Sequence, residues 1–267
     1  MRDLIEIRGV THAYKTPSGP LPVLDKFTMS VPQGGFCAVV GPSGCGKSTL
    51  TRLIAGLMFP DEGEVWLHGE RVRSPRKTVG MAFQNPVLLE WRSVVQNVIL
   101  PLEIVAPGMP KAQRMERAMA LLDLVGLKGF EHKRPSELSG GMRQRASLCR
   151  AIVHRPEVLI LDEPFGALDA FTREDLWQMM HALRAEEPFT GLLITHDLRE
   201  SVYLADQVVV MSGRPAHALF TLDIPLRGPR PIDMLYEPRS VEWLALLRRQ
   251  IQIAQGRAPI TKQEAAE

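Results

Sequence analysis

The 267-residue chain is 45% hydrophobic, enough to bury a sizeable core in one large domain or in one domain carrying an insertion. Thirty-two Lys and Arg oppose thirty Asp and Glu, and a formal charge of +2 is too balanced for the footprint of a nucleic-acid binder, so no nucleic-acid partner is expected. No apolar run approaches the roughly 18 residues of a membrane span, and Met1-Arg2-Asp3-Leu4-Ile5-Glu6 lacks the unbroken apolar stretch of a secretory signal, which predicts a chain that stays inside the cell.

From Leu4 to Trp66 the sequence reads as short strands separated by turns, among them Pro17-Ser18-Gly19-Pro20. Within this stretch the apolar run Phe36-Cys37-Ala38-Val39-Val40 leads into Gly41-Pro42-Ser43-Gly44-Cys45-Gly46-Lys47-Ser48, followed by Thr49 and a helical pattern through Ala55. That is G-x-x-x-x-G-K-[ST], a loop whose glycines let successive N–H groups turn toward one anion while the following helix adds its positive end. Lys47 supplies a point charge to the β and γ phosphates, and Ser48 a hydroxyl for Mg²⁺. The Cys45 thiol is expected within a few ångströms of bound phosphate, so that alkylation inhibits and ATP protects.

From about Asn85 to Ser136 the pattern turns helical, with Met115 to Val125 a strong amphipathic run closed by Gly126, and an inserted helical subdomain is expected there. Apolar strands return at Val158-Leu159-Ile160-Leu161, Gly191 to Thr195 and Gln207 to Met211, with helices between them. Near-continuous apolar strands alternating with helices indicate a parallel sheet covered on both faces. The first of these ends in Asp162-Glu163, which places two acids where an α/β sheet binds its ligand. Asp162 suits Mg²⁺ and Glu163 can polarise a water in line with the γ-phosphate. An Asp-Glu pair can also simply cap the next helix, a reading that loses weight beside a phosphate loop. After Arg227 come Pro-rich turns, a helix over about Val241 to Ile253, and a polar end from Thr261 to Glu267 expected to be disordered. Cys37, Cys45 and Cys149 form no C-x-x-C pair, so neither a disulfide framework nor a zinc site is expected, and a reducing cytoplasm is the simplest setting.

Leu138-Ser139-Gly140-Gly141 before a helix through Val153 resembles the signature of the ATP-binding-cassette (ABC) ATPases. Its logic repeats that of the phosphate loop: Ser139 with the Gly140 and Gly141 amides forms a second anion site at a helix N-terminus. The resemblance extends over about residues 4 to 215. It implies that Tyr14 stacks on adenine, that Gln84 in Met81-Ala82-Phe83-Gln84-Asn85 reaches Mg²⁺ and the attacking water, that Gly166-Ala167-Leu168-Asp169 crosses a dimer interface, and that His196 is a switch histidine. Met142 stands where many members carry Gln, so one side-chain hydrogen bond near the nucleotide is expected to be missing while the backbone anion site survives.

The fold implied is α/β: a P-loop NTPase core over 1–84 and 157–226, with a mostly parallel sheet and an N-terminal antiparallel β subdomain. A helical subdomain spans 85–156, and a C-terminal helix and tail 227–267. In such a family ATP joins two copies head to tail, each site taking Ser139 from the second copy. The resemblance further implies integral membrane permease subunits, an indirect solute-binding protein, and a peripheral place on the cytoplasmic face of the inner membrane. Pro86 to Val95, with Leu88, Leu89 and Trp91, resembles the permease-gripping stretch of importer ATPases for nitrate, sulfonate, taurine and thiamin-pyrimidine precursors.

Overall fold

A computed structural model describes residues 3–226, 228 and 230–256; the polar end from Thr261 to Glu267 and the Arg227 boundary lie outside the described residues. The N-terminal region is longer-stranded than the sequence suggests. β1 (Asp3–Thr16) and β2 (Gly19–Pro32) are each 14 residues long and pair antiparallel from Asp3↔Pro32 to Thr16↔Gly19. Gly9 has φ +58 at a register shift between Ile7 and Val10, so it marks a bulge that bends the strand without ending it. Pro20, Pro22 and Pro32 are tolerated because β2 is the edge of the sheet β2-β1-β4-β5, which β4 (Glu62–Leu67) and β5 (Glu70–Arg71) complete.

The second sheet has the order β10-β9-β3-β8-β7-β6. Here β3 (Phe36–Val40), β6 (Val79–Phe83), β7 (Val158–Asp162), β8 (Thr190–Ile194) and β9 (Gln207–Met211) are mutually parallel where they pair, and β10 (Ala218–Asp223) runs antiparallel to β9. Alternate residues of these strands enter two different cores. Cys37, Val39, Ile160 and Ile194 face the antiparallel sheet and α1 (Lys47–Ile54). Phe36, Ala38, Val40, Leu161 and Leu193 face the remaining helices. Burial on both sides is why these strands read as unbroken apolar runs.

Between β6 and β7 lie α2 (Val94–Val105), α3 (Lys111–Leu124) and α4 (Gly140–Ile152). Ser93 and Gln96 form a reciprocal capping box at the start of α2, and Gly126 past α3 has φ +72. Buried Asn97 fastens the preceding loop, accepting from the Leu89 amide at 2.7 Å and donating to the Leu89 and Arg92 carbonyls. At Gly80 β6 and α4 approach so closely that a Cβ would stand 2.1 Å from the Ala151 carbonyl oxygen. The chain finishes with α5 (Ala170–Glu186), α6 (Leu198–Leu204) and α7 (Pro238–Ala254), the last extending a few residues beyond the helix read from sequence. Trp243 and Leu247 are buried and Leu244 packs against the helix-side core, so α7 is an amphipathic helix docked on the body. Among the described residues no helix is long and apolar enough to cross a membrane.

Candidate functional site: a phosphate cleft at the strand ends

The C-terminal ends of four parallel strands deliver the residues singled out by sequence. β3 ends at the phosphate loop, β7 at Asp162, β8 at Thr195-His196 and β6 at Gln84. β3 lies between β8 and β9, strands that follow it at different distances in sequence, which makes the mouth above it a topological switch point.

A cleft of about 420 Å³ opens there, walled by Tyr14, Lys47, Ser48, Thr49, Glu163 and Arg214. Lys47 is buried, and its Nζ donates to the Gly41 and Pro42 carbonyls at 2.9 and 3.0 Å, which fixes its charge at the loop mouth. Gly44 and Gly46 have φ of +74 and +118, conformations an L side chain rarely adopts. A Cβ on Gly46 would also stand 2.7 Å from Val23, so the loop is closed against β2. The Cys45 amide donates to the Pro42 carbonyl at 3.3 Å, tightening the turn, whereas Ser43 is exposed. The Tyr14 hydroxyl is 3.1 Å from Thr49 Oγ1 and donates to Met58 Sδ, which fixes the ring on the cleft wall.

On the facing side, Ser48 Oγ donates to Asp162 Oδ1 at 3.5 Å. Burial, then the neighbouring Glu163, hold the Asp162 carboxyl above the usual Asp range, opposed by Ser48, Arg52 and Thr51. Glu163 adopts φ +49, a left-handed conformation that costs a non-glycine residue about 1–2 kcal/mol. Such strain gathers at functional sites; here the Glu163 amide is held to the Ile194 carbonyl and its Oε2 lies 3.2 Å from His196 Nδ1. A Cβ on Gly166 would stand 3.4 Å from Gln84 Nε2 and 3.5 Å from His196 Cε1. The Gln84 amide and the His196 ring, itself in contact with Glu163, therefore flank Gly166 at ordinary contact distance.

Ser139, Gly140 and Gly141 are elsewhere. Ser139 N-caps α4, accepting from the Met142 amide at 3.3 Å, and Ser139 and Gly140 are exposed. They lie beside the segment ending in Asp169: Cβ positions on Gly140 and Gly141 meet Leu168 and Thr172. Met142 packs its side chain against the helix-side core, so a Met is accommodated there by packing. Asp169 caps α5 through the Thr172 amide, and Arg173 joins the Leu168 carbonyl to Asp197 Oδ2, both at 2.8 Å, tying this segment to the loop that carries His196.

Two expectations need correction. The Cys45 side chain does not reach toward the cleft: it is buried in the core between the sheets, with Sγ 3.2 Å from where a Cβ on Gly41 would lie. Burial pushes its thiol up, against the opposing charges of Lys47 and Arg214. Leu88, expected on a docking face, belongs to the helix-side core, whereas Trp91 is 71% exposed. Sequence reading passed over Arg173 and Arg214, because each comes into play only through the crossing of distant segments.

The oxygen set of Ser48, Asp162 and the Gln84 side chain is the hard-donor chemistry that suits Mg²⁺. Among the described residues no cluster of three or more His, Cys, Asp or Glu could hold a metal ion.

A family model for the ABC transporter matches residues 24–166. The chain is 42% identical to the nitrate import ATP-binding protein NrtD of Synechococcus elongatus over 87% of this chain and 86% of that protein. It is 44% identical to the taurine import ATP-binding protein TauB of Yersinia pestis over 76% and 79% respectively. Its fold matches the dimeric, ADP- and phosphate-bound post-hydrolysis state of the ATP-binding cassette MJ0796 with a TM-score of 0.74, at 28% identity over 84% of this chain and 99% of that one. The chain belongs to the ABC transporter family of ATP-binding proteins and is an ATPase cassette of the import type.

Proposed function

We propose that this chain supplies half of each ATP site in a pair of copies that drives import of a small oxyanion-bearing solute. The observation that carries the reading is that Glu163 lines the cleft of Lys47 and Ser48 while in contact with His196, which with Gln84 flanks Gly166. Lys47 and the backbone amides of Gly44, Gly46, Lys47 and Ser48 hold the phosphates, and Tyr14 with Thr49 forms the wall on which adenine stacks. Ser48, Asp162 and Gln84 would hold Mg²⁺, which would neutralise charge on the phosphates. Glu163 accepts the proton of the attacking water, and His196 positions it through the 3.2 Å contact.

The exposed end of α4 supports a second copy as the source of Ser139, Gly140 and Gly141, because their own cleft does not include them. ATP then binds the closed pair better than the open one, and hydrolysis releases it. We read 85–156 as the lobe that carries Ser139 and moves relative to 1–84 and 157–226, with 227–267 as a C-terminal attachment.

A largely apolar groove of about 450 Å³ runs between β6 and α2, lined by Phe83, Leu100 and Ile104 together with Arg76, Lys77 and Arg150. It suits a short amphipathic segment of a membrane permease, with Val87 and Trp91 exposed on the adjoining loop. In this reading the chain sits peripherally at the cytoplasmic face of the inner membrane, coupled through the permease to a solute-binding protein. The names of the nitrate and taurine relatives support a solute bearing an oxyanion, with nitrate, sulfonates, taurine and thiamin-pyrimidine precursors the classes to test.

The test separates binding from turnover. Lys47→Ala should lose binding of a fluorescent ATP analogue, while Glu163→Gln should retain it and release phosphate about 100-fold or more slowly. Wild-type turnover by Glu163→Gln, or undiminished binding by Lys47→Ala, contradicts these assignments.

A further inference from the structure

The β9–β10 turn has no part in the reading above, yet it reaches the phosphate loop. Its base is locked by Ser212 and His217: the Ser212 amide donates to the His217 carbonyl at 3.0 Å, and the His217 amide to Ser212 Oγ at 3.0 Å. One flank is sewn to β2, where Ala216 donates to the Val23 carbonyl and Asp25 donates to the Ala216 carbonyl. The other flank lies against the last turn of α7, since a Cβ on Gly213 would stand 3.0 Å from the Ala254 carbonyl oxygen. The turn is thus closed at its own base and held by two further elements, one of which, β2, also presses Val23 against the phosphate loop at Gly46.

What this fixed turn presents is Arg214. Its Nη2 would lie 3.3 Å from a Cβ on Gly44, at the crown of the loop, and it lines the same cleft as Lys47, Ser48 and Thr49. Arg173, by contrast, is committed to Asp197 and the Leu168 carbonyl. Arg214 forms no ion pair or side-chain hydrogen bond among the described residues. A guanidinium is a planar fork that matches phosphate oxygens, and immobilising its backbone lowers the entropy cost of using it.

We propose that Arg214 is a second phosphate-directed cation of the nucleotide cleft, which pairs with the polyphosphate of bound nucleoside triphosphate from the outer side of the loop while Lys47 holds it from within. The C-terminal helix has a role in this arrangement: α7 buttresses the turn that aims Arg214. The proposal rests on the ATP site described above.

The test measures dissociation of Mg-ATP by isothermal titration at low and at high salt, for the full-length wild type, Arg214→Gln and Arg214→Lys. Arg214→Gln should weaken binding about five- to tenfold at low salt, with the gap narrowing as salt rises, and Arg214→Lys should recover part of the loss. Nucleotide-free melting should be equal in all three. If Arg214→Gln also lowers that melting temperature, Arg214→Lys decides: recovered affinity supports the proposal and unrecovered affinity overturns it. Equal affinity of wild type and Arg214→Gln at low salt overturns it outright. A wild type that binds no Mg-ATP instead refutes the nucleotide site itself.

Discussion

Replacing Glu200 by Gln should remove one pH-dependent component of this protein's stability. Glu200 sits in α6 just beyond His196, and its Oε2 accepts a hydrogen bond from Thr195 Oγ1 at 2.8 Å. The same Thr195 oxygen accepts from the Asp197 amide at 2.9 Å, so the carboxyl braces the turn that carries His196. Burial pushes the Glu200 carboxyl from an ordinary 4.5 up to about 8, with the Thr195 hydrogen bond and Arg173 opposing and Asp197 and Glu163 adding to the rise. The folded chain therefore keeps a proton on Glu200 between pH 4.5 and about 8, where the unfolded chain has lost it. The resulting stability is fully present below the unfolded value and is lost as pH rises through the folded one, at a limiting slope of about 1.4 kcal/mol per pH unit. For a chain of this length that corresponds to about 3–5 °C of melting temperature per pH unit. Glu200→Gln mimics the protonated form at every pH and removes this slope. Nucleotide-free thermal denaturation at pH 5.5, 6.5 and 7.5 measures it; parallel wild-type and Glu200→Gln curves refute the reasoning.

Two further predictions follow from side-chain placement. Leu88→Asp puts an unpaired carboxylate into the helix-side core and should destabilise by about 3 kcal/mol or more, whereas Trp91→Asp, on the surface, should change denaturation by no more than about 0.5 kcal/mol; equal effects contradict the two placements. Because Cys45 is buried with its thiol pushed up, intact-mass analysis should find it unalkylated in the folded protein both with and without ATP, and rapid labelling without ATP contradicts that burial.

The parts of the site legible in sequence were those whose chemistry is local. A phosphate loop needs its glycines and Lys47 within eight consecutive positions, and an acid at the end of a buried strand needs only four apolar residues before Asp162. Their two-sided burial also made the parallel strands readable, since each residue of Phe36 to Val40 enters one core or the other. The misreadings arose where orientation decides. Cys45 and Lys47 sit two positions apart on one loop, yet the first turns its side chain into the core between the sheets and the second lines the cleft. Leu88 and Trp91 are separated because Asn97 folds the intervening loop onto α2. Arg214 carries no local signal at all; only the meeting of β2, α7 and the β9–β10 turn brings it to Gly44.

If each ATP site draws half its residues from a second copy, ATP must pair two chains. Light scattering on Glu163→Gln protein measures that pairing in the presence of Mg-ATP or Mg-ADP at the same protein concentration. A mass near twice the 29.8 kDa of one chain is expected with ATP, and one chain's mass with ADP. A Glu163→Gln protein that binds ATP yet keeps one chain's mass at every concentration contradicts it.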